Sequence, residues 1–183
     1  ILGIAAGQLY GDAGRTKFDP YTVAMSHPDA TVALMSGGGE VNSHFSVPPY
    51  QNLALKTPGV RAILNSTDVM GGPATITFIF GTTKFHDANP KTIAAMFAAM
   101  GEAEDFIAKN KRAAAELYLK ATKEKITLDE LTALIESPGF IFSRAPNGTL
   151  KYAEQMFKTG AIKTRPASWK DAFFPIAHGL PGN

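Results

Sequence analysis

The stretch VRAILNSTDVMGGPATITFIFGT, residues 60–82, carries the strongest indication of the fold. Residues 60–65 are predicted as a strand, residues 66–73 as a flexible stretch with a Gly-Gly-Pro break, and residues 74–82 as a strand, because they are rich in β-branched and aromatic residues. Tyr21–Met25 and Val41–Ser46 are predicted as further short strands. Helical patterns lie between and after them, and strands alternating with helices indicate an α/β arrangement with mainly parallel strands.

The predicted helices are defined by their end signals. Ser26-His27-Pro28-Asp29 is typical of a helix start, and Gly37-Gly38-Gly39 of its stop. Thr127 to Glu130 has the form of a capping box, in which two side chains satisfy free backbone amides at a helix start. Further helices are predicted over these segments: 1–10, one turn at 51–55, 90 onward, the Ala-rich stretch after Asn110, 150–159, and a short one from Ser168.

Composition excludes several classes of protein. The 183 residues are 45% hydrophobic and 19% charged, which is typical of a folded globular chain rather than a disordered one. The absence of Cys excludes disulfides, thiolate metal sites and cysteine nucleophiles. The net charge is +2 and the charges are interspersed. The sequence therefore lacks the basic stripe that is typical of a nucleic-acid binder. The longest uncharged apolar run, Val69–Thr83, is shorter than the roughly 20 apolar residues that span a bilayer.

Motifs for common catalytic chemistry are missing. SGGGE at 36–40 lacks the Lys and Ser or Thr of a phosphate-binding loop and fits a helix C-terminus instead. The four His are not at metal-ligand spacing, and no G-x-S-x-G motif presents a nucleophilic Ser. We therefore expect neither a metal site nor a cofactor.

Polar and aromatic residues cluster instead in loops at the ends of predicted strands. Ligands of open α/β sheets bind at the carboxyl ends of strands, and the helix start at Pro28–Ala30 offers amides to an anion. Ordinary structural roles stay open, because His27 can cap its helix, Phe45 can be core and Pro48-Pro49 can simply turn the chain. The candidate ligand-binding residues are His27, His44, Phe45, Ser46, Pro48, Tyr50, Met70, Gly71 and Gly72.

The same loops carry a family resemblance. The segment FDPYTVAMSHPDATVALMSGGGEVNSHFSVPPYQ (18–51) resembles the central part of the nitrate/taurine class of ABC-transporter substrate-binding proteins, with its HPDA helix start and HFS-PP-Y loop. The resemblance continues through 59–72, 84–107 and 148–175, and so covers nearly the whole chain.

The resemblance implies a type II periplasmic-binding-protein-like fold, in which two lobes of β-sheet flanked by helices close on a ligand. Because family members are about twice the length of an ordinary domain, the chain is expected to be a C-terminal portion whose N-terminal part is missing. Residues 1–70 would give most of lobe two, and 71–183 the crossover strand and the helical part of lobe one.

The implied function is that of the solute-binding component of an ABC importer. The ligand would be a small anionic or polar organic molecule, with a taurine-like sulfonate favoured over nitrate or an aromatic carboxylate. The protein would be a periplasmic or lipid-anchored bacterial monomer that is not an enzyme and meets an ABC permease. Two alternatives remain: a histidine-based enzyme on the same scaffold, similar to thiamine-pyrimidine synthases and acting through His27 or His44, and an interaction module with a large exposed apolar patch.

Overall fold

The computed structural model of the chain describes residues 1–122, 124 and 126–183. These residues form two compact units, Ile1–Val69 and Met70–Asn183. Each unit is described by itself below. Their assignment to the two lobes of a binding protein stays a prediction.

The first unit is built from short helices joined by long irregular segments. Its core is formed by Ile4, Ala5 and Ala6, with Ala30, Ala54 and Val69 also buried. The side-chain amide of Gln8 donates a hydrogen bond of 3.0 Å to the carbonyl of Val69. The helices are α1 (Leu2–Tyr10), α2 (His27–Ser36), α3 (Tyr50–Ala54) and α4 (Ser66–Met70, whose last residue begins the second unit), with 3-10 turns at Asp12–Gly14 and Asp19–Tyr21.

The second unit has its core between two helices. Ala115 is fully buried against Leu131, Leu134 and Ile135. The helices are α5 (Thr83–Ala88), α6 (Pro90–Lys109), α7 (Lys111–Ala121), α8 (Leu128–Glu136) and α9 (Thr149–Lys158), followed by 3-10 turns at Trp169–Ala172 and Pro175–Ala177. No helix among the described residues has the length and apolar character needed to cross a membrane.

The helix signals of the sequence are confirmed. Ser26 Oγ accepts a hydrogen bond from the Asp29 amide at the start of α2, and Gly37 ends that helix with a φ of 68°. Thr127 and Glu130 form the complete capping box of α8. The hydrogen bonds of a helix cap join residues only a few positions apart, so the local sequence is enough to predict them.

The predicted α/β fold is wrong. The described residues form helices and irregular segments, with no β-strand and no sheet. The segments predicted as strands, 21–25, 41–46, 60–65 and 74–82, contain no strand, and 66–70, expected to be flexible, is helix α4. A strand needs a partner for its backbone hydrogen bonds, and no backbone partner is present for residues 76–80 in the described part of the chain. The β preference of these segments shows that their side chains suit a sheet, but it does not provide a partner strand.

Candidate functional site

The first unit brings together two histidines and a tyrosine that are distant in the sequence. His27 Nδ1 and His44 Nε2 lie 3.1 Å apart, so one ring nitrogen donates a hydrogen bond to the other. The Tyr50 ring stacks on His27 with 5.8 Å between centroids and 17° between planes. We call these three residues the histidine cluster.

Helix starts position the cluster. His27 is the first residue of α2, directly after its Ser26 cap, and Tyr50 is the first residue of α3, directly after the Pro48-Pro49 turn. Thr31 Oγ1 donates a 2.7 Å hydrogen bond to the His27 carbonyl and is itself buried. The His27 and Tyr50 rings are therefore carried on helical backbone, while His44 lies in the irregular segment between the two helices.

Two polar atoms of the irregular segment 41–47 are buried and have no hydrogen-bond partner among the described residues. They are His44 Nδ1 and Ser46 Oγ, two residues apart in the chain. A buried polar group without a partner costs about 1–3 kcal/mol, so each atom favours a ligand that supplies the missing bond. Burial, together with the neighbouring His27, holds the pKa of His44 below its ordinary value.

The amides expected to attract an anion at the start of α2 are already used. Pro28 has no N–H, the Asp29 amide donates to Ser26 Oγ, and the Ala30 amide donates to the Ser26 carbonyl. Asp29 also places its own negative charge there, which suits the positive end of the helix dipole. That part of the prediction is wrong, and any anion here would depend on the imidazoles.

An apolar groove of about 460 Å³ adjoins the cluster. It runs between α2 and α3, and Tyr50 belongs to both the groove and the cluster. The remaining lining is Pro28, Thr31, Val32, Met35, Ser36 and Leu53. The groove suits the apolar body of a small molecule; its lining includes Tyr50 of the cluster but neither histidine.

The other predicted site residues do not join the cluster. Phe45 is half exposed, and Pro48 lies in the turn that precedes α3. Met70, Gly71 and Gly72 lie in the second unit, where Met70 is buried and its Cε would lie 3.0 Å from a Cβ at Gly148. Both glycines have positive φ, which suits a turn.

Of the groove residues, Tyr50 was among the predicted ligand-binding residues and the others were missed. Met35 lies four positions after Thr31 and three after Val32, which is the spacing of one helix face. That spacing was the available signal, but it is also the ordinary signature of a core-facing helix.

Comparisons with family models, curated proteins and solved structures found no match to this chain. In the part of the chain that the structure describes, no group of three or more acidic or histidine side chains is arranged to hold a metal ion.

Proposed function

We propose that this chain is the solute-binding component of an ABC importer and that the histidine cluster binds a small organic anion. The observation that carries the proposal is the contact between His27 and His44, beside the unpartnered His44 Nδ1. The resemblance of residues 18–51 to nitrate/taurine binding proteins supports the importer role. The apolar groove supports a sulfonate or carboxylate with a hydrocarbon part over bare nitrate.

The electrostatics of the pair favour an anion. Burial and the His27 ring, whose nitrogen lies 3.1 Å away, disfavour the protonated form of His44 in the free protein. A bound anion favours that protonated form and accepts a hydrogen bond from it. Binding is therefore expected to take up a proton and to tighten as the pH falls from 8 to 6.

The test is isothermal titration calorimetry with ethanesulfonate, taurine, benzoate and nitrate at both pH values. We expect the organic anions to bind and the wild-type protein to take up a proton, seen as a dependence of the measured heat on the buffer. A hydrogen bond to a charged group contributes about 1.5–3 kcal/mol, so His44→Gln should weaken binding by about 10- to 100-fold.

His86→Gln is the matched control. His86 lies in the second unit, stacked on Phe174 at 4.0 Å, and takes no part in the cluster. The proposal fails if none of the four anions binds, or if His44→Gln and His86→Gln bind them equally well. The importer role is tested separately, by comparing sulfonate uptake in cells with and without the protein.

A further inference from the structure

Ser46 carries a buried hydroxyl that no residue in the described part of the chain satisfies. Two neighbouring hydroxyls differ from it. Thr31 Oγ1 donates to the His27 carbonyl at 2.7 Å. Ser43 Oγ is exposed and donates to Asn42 Oδ1 at 3.2 Å. A buried hydroxyl without a partner destabilises the free protein, because it loses its hydrogen bonds to water and gains none.

Ser46 and His44 face the same side of the irregular segment 41–47. The side chains of 44–46 alternate in burial: His44 and Ser46 are partly buried, whereas Phe45 between them is 54% exposed. In an extended chain, successive side chains point to opposite sides, so that residues two positions apart share one side about 7 Å apart. The two unpartnered atoms, His44 Nδ1 and Ser46 Oγ, therefore lie on one side of the segment.

Both of these atoms can donate a hydrogen bond to an anion. His44 Nε2 shares its hydrogen bond with His27 Nδ1. In a protonated imidazole both ring nitrogens carry a proton, so Nε2 donates to His27 and Nδ1 keeps a proton for a ligand. The Ser46 hydroxyl also carries a proton and rotates to suit an acceptor. One side of the segment thus offers one charged donor and one neutral donor.

We propose that Ser46 is a ligand-binding residue whose hydroxyl donates to one oxygen of the bound anion, while His44 Nδ1 donates to another oxygen of the same head group. The inference rests on the proposed function, because it assigns a second donor to the same anion site. It narrows the ligand to a head group with at least two oxygens, as in a sulfonate or a carboxylate. A head group with one acceptor leaves a buried donor without a partner, which disfavours binding.

The test is calorimetric titration of Ser46→Ala with ethanesulfonate and benzoate at pH 6. Because the change removes a hydrogen bond to a charged group, it should weaken binding by about 10- to 100-fold. A serine hydroxyl does not titrate in this range, so Ser46→Ala should still take up a proton on binding, seen in the buffer dependence of the heat. His44→Gln should lose that proton uptake, which separates the roles of the two donors.

Thermal unfolding of the ligand-free protein separates ligand binding from a structural role. Ser46→Ala removes a buried polar group that has no partner among the described residues, so it should not lower the Tm of the free protein. The matched control is Ser43→Ala, the same change at an exposed serine three positions earlier in the same segment. It should leave the affinity for both anions unchanged.

The outcomes distinguish this inference from the proposed function. If the wild-type protein binds neither these anions nor the others, the proposed function fails and the role of Ser46 fails with it. If the wild-type protein binds and Ser46→Ala binds as tightly as Ser43→Ala, only the role of Ser46 is overturned. It is also overturned if Ser46→Ala lowers the Tm together with the affinity, or abolishes the proton uptake, since Ser46 would then act through the fold or through His44.

Discussion

Truncation of Leu131 tests whether the α7–α8 contact is the core of the second unit. Leu131 is 7% exposed and lies in one cluster with Ala115, Leu134 and Ile135. Leu131→Ala removes three carbon atoms, worth about 2.4 kcal/mol in transfer free energy. Incomplete collapse of the cavity adds to this, so we expect the free energy of unfolding to fall by about 3 kcal/mol, within the usual range of about 2–5.

Urea unfolding measures this loss. Trp169 is the one tryptophan in the sequence and is buried in the same unit, so its fluorescence reports the transition. With an m-value of about 2 kcal/mol/M, the midpoint should fall by about 1.5 M while the slope stays the same.

The control is Leu117→Ala on α7, the same change at a side chain that is 55% exposed. Surface substitutions usually change stability by about 0.5 kcal/mol or less. If the two variants lose equal stability, or if Leu131→Ala loses less than about 1 kcal/mol, then the burial of α8 against α7 does not hold the unit together.

Three further predictions follow from single residues. The pKa of His44 is lowered in the folded state, so at pH values just below the ordinary histidine pKa the unfolded chain binds more protons than the folded one. The free energy of unfolding should therefore fall as the pH drops through this range. Urea titrations at pH 8 and pH 5 should show a smaller fall for His44→Gln than for the wild-type protein. Thr127→Ala removes the capping box of α8 and should cost about 1 kcal/mol, measured as a fall of about 2–4 °C in Tm. Gly148→Ala should cost more than Gly160→Ala in the same melts: both sites have positive φ, but only at Gly148 would a Cβ meet other side chains, at 3.0 and 3.1 Å.

The helix ends could be predicted from the sequence because their causes are local. Ser26 and Asp29 satisfy each other across three residues, and Gly37 adopts a left-handed conformation at no steric cost. The same applies to the box formed by Thr127 and Glu130. In each case, the residue types and their spacing are the whole physical reason for the structure.

The strands could not be predicted in this way, because pairing is a property of two segments. Phe78, Ile79 and Phe80 have the side chains of a strand buried on both faces, yet their backbone has no hydrogen-bond partner among the residues that the structure describes. The neighbouring stretch shows the opposite error: Asn65 accepts the Thr67 amide and starts helix α4 where a flexible loop was expected. Side-chain preference is decisive only where the hydrogen-bonding partner is also local.

The candidate site lies between these two cases. His27 and His44 were both predicted as ligand-binding residues, but the expected reason was the edge of a parallel sheet, and the described residues form no sheet. Their contact spans 17 residues and depends on how the irregular segment 41–47 returns to α2. The residue types were visible in the sequence; the 3.1 Å contact between two imidazoles was not.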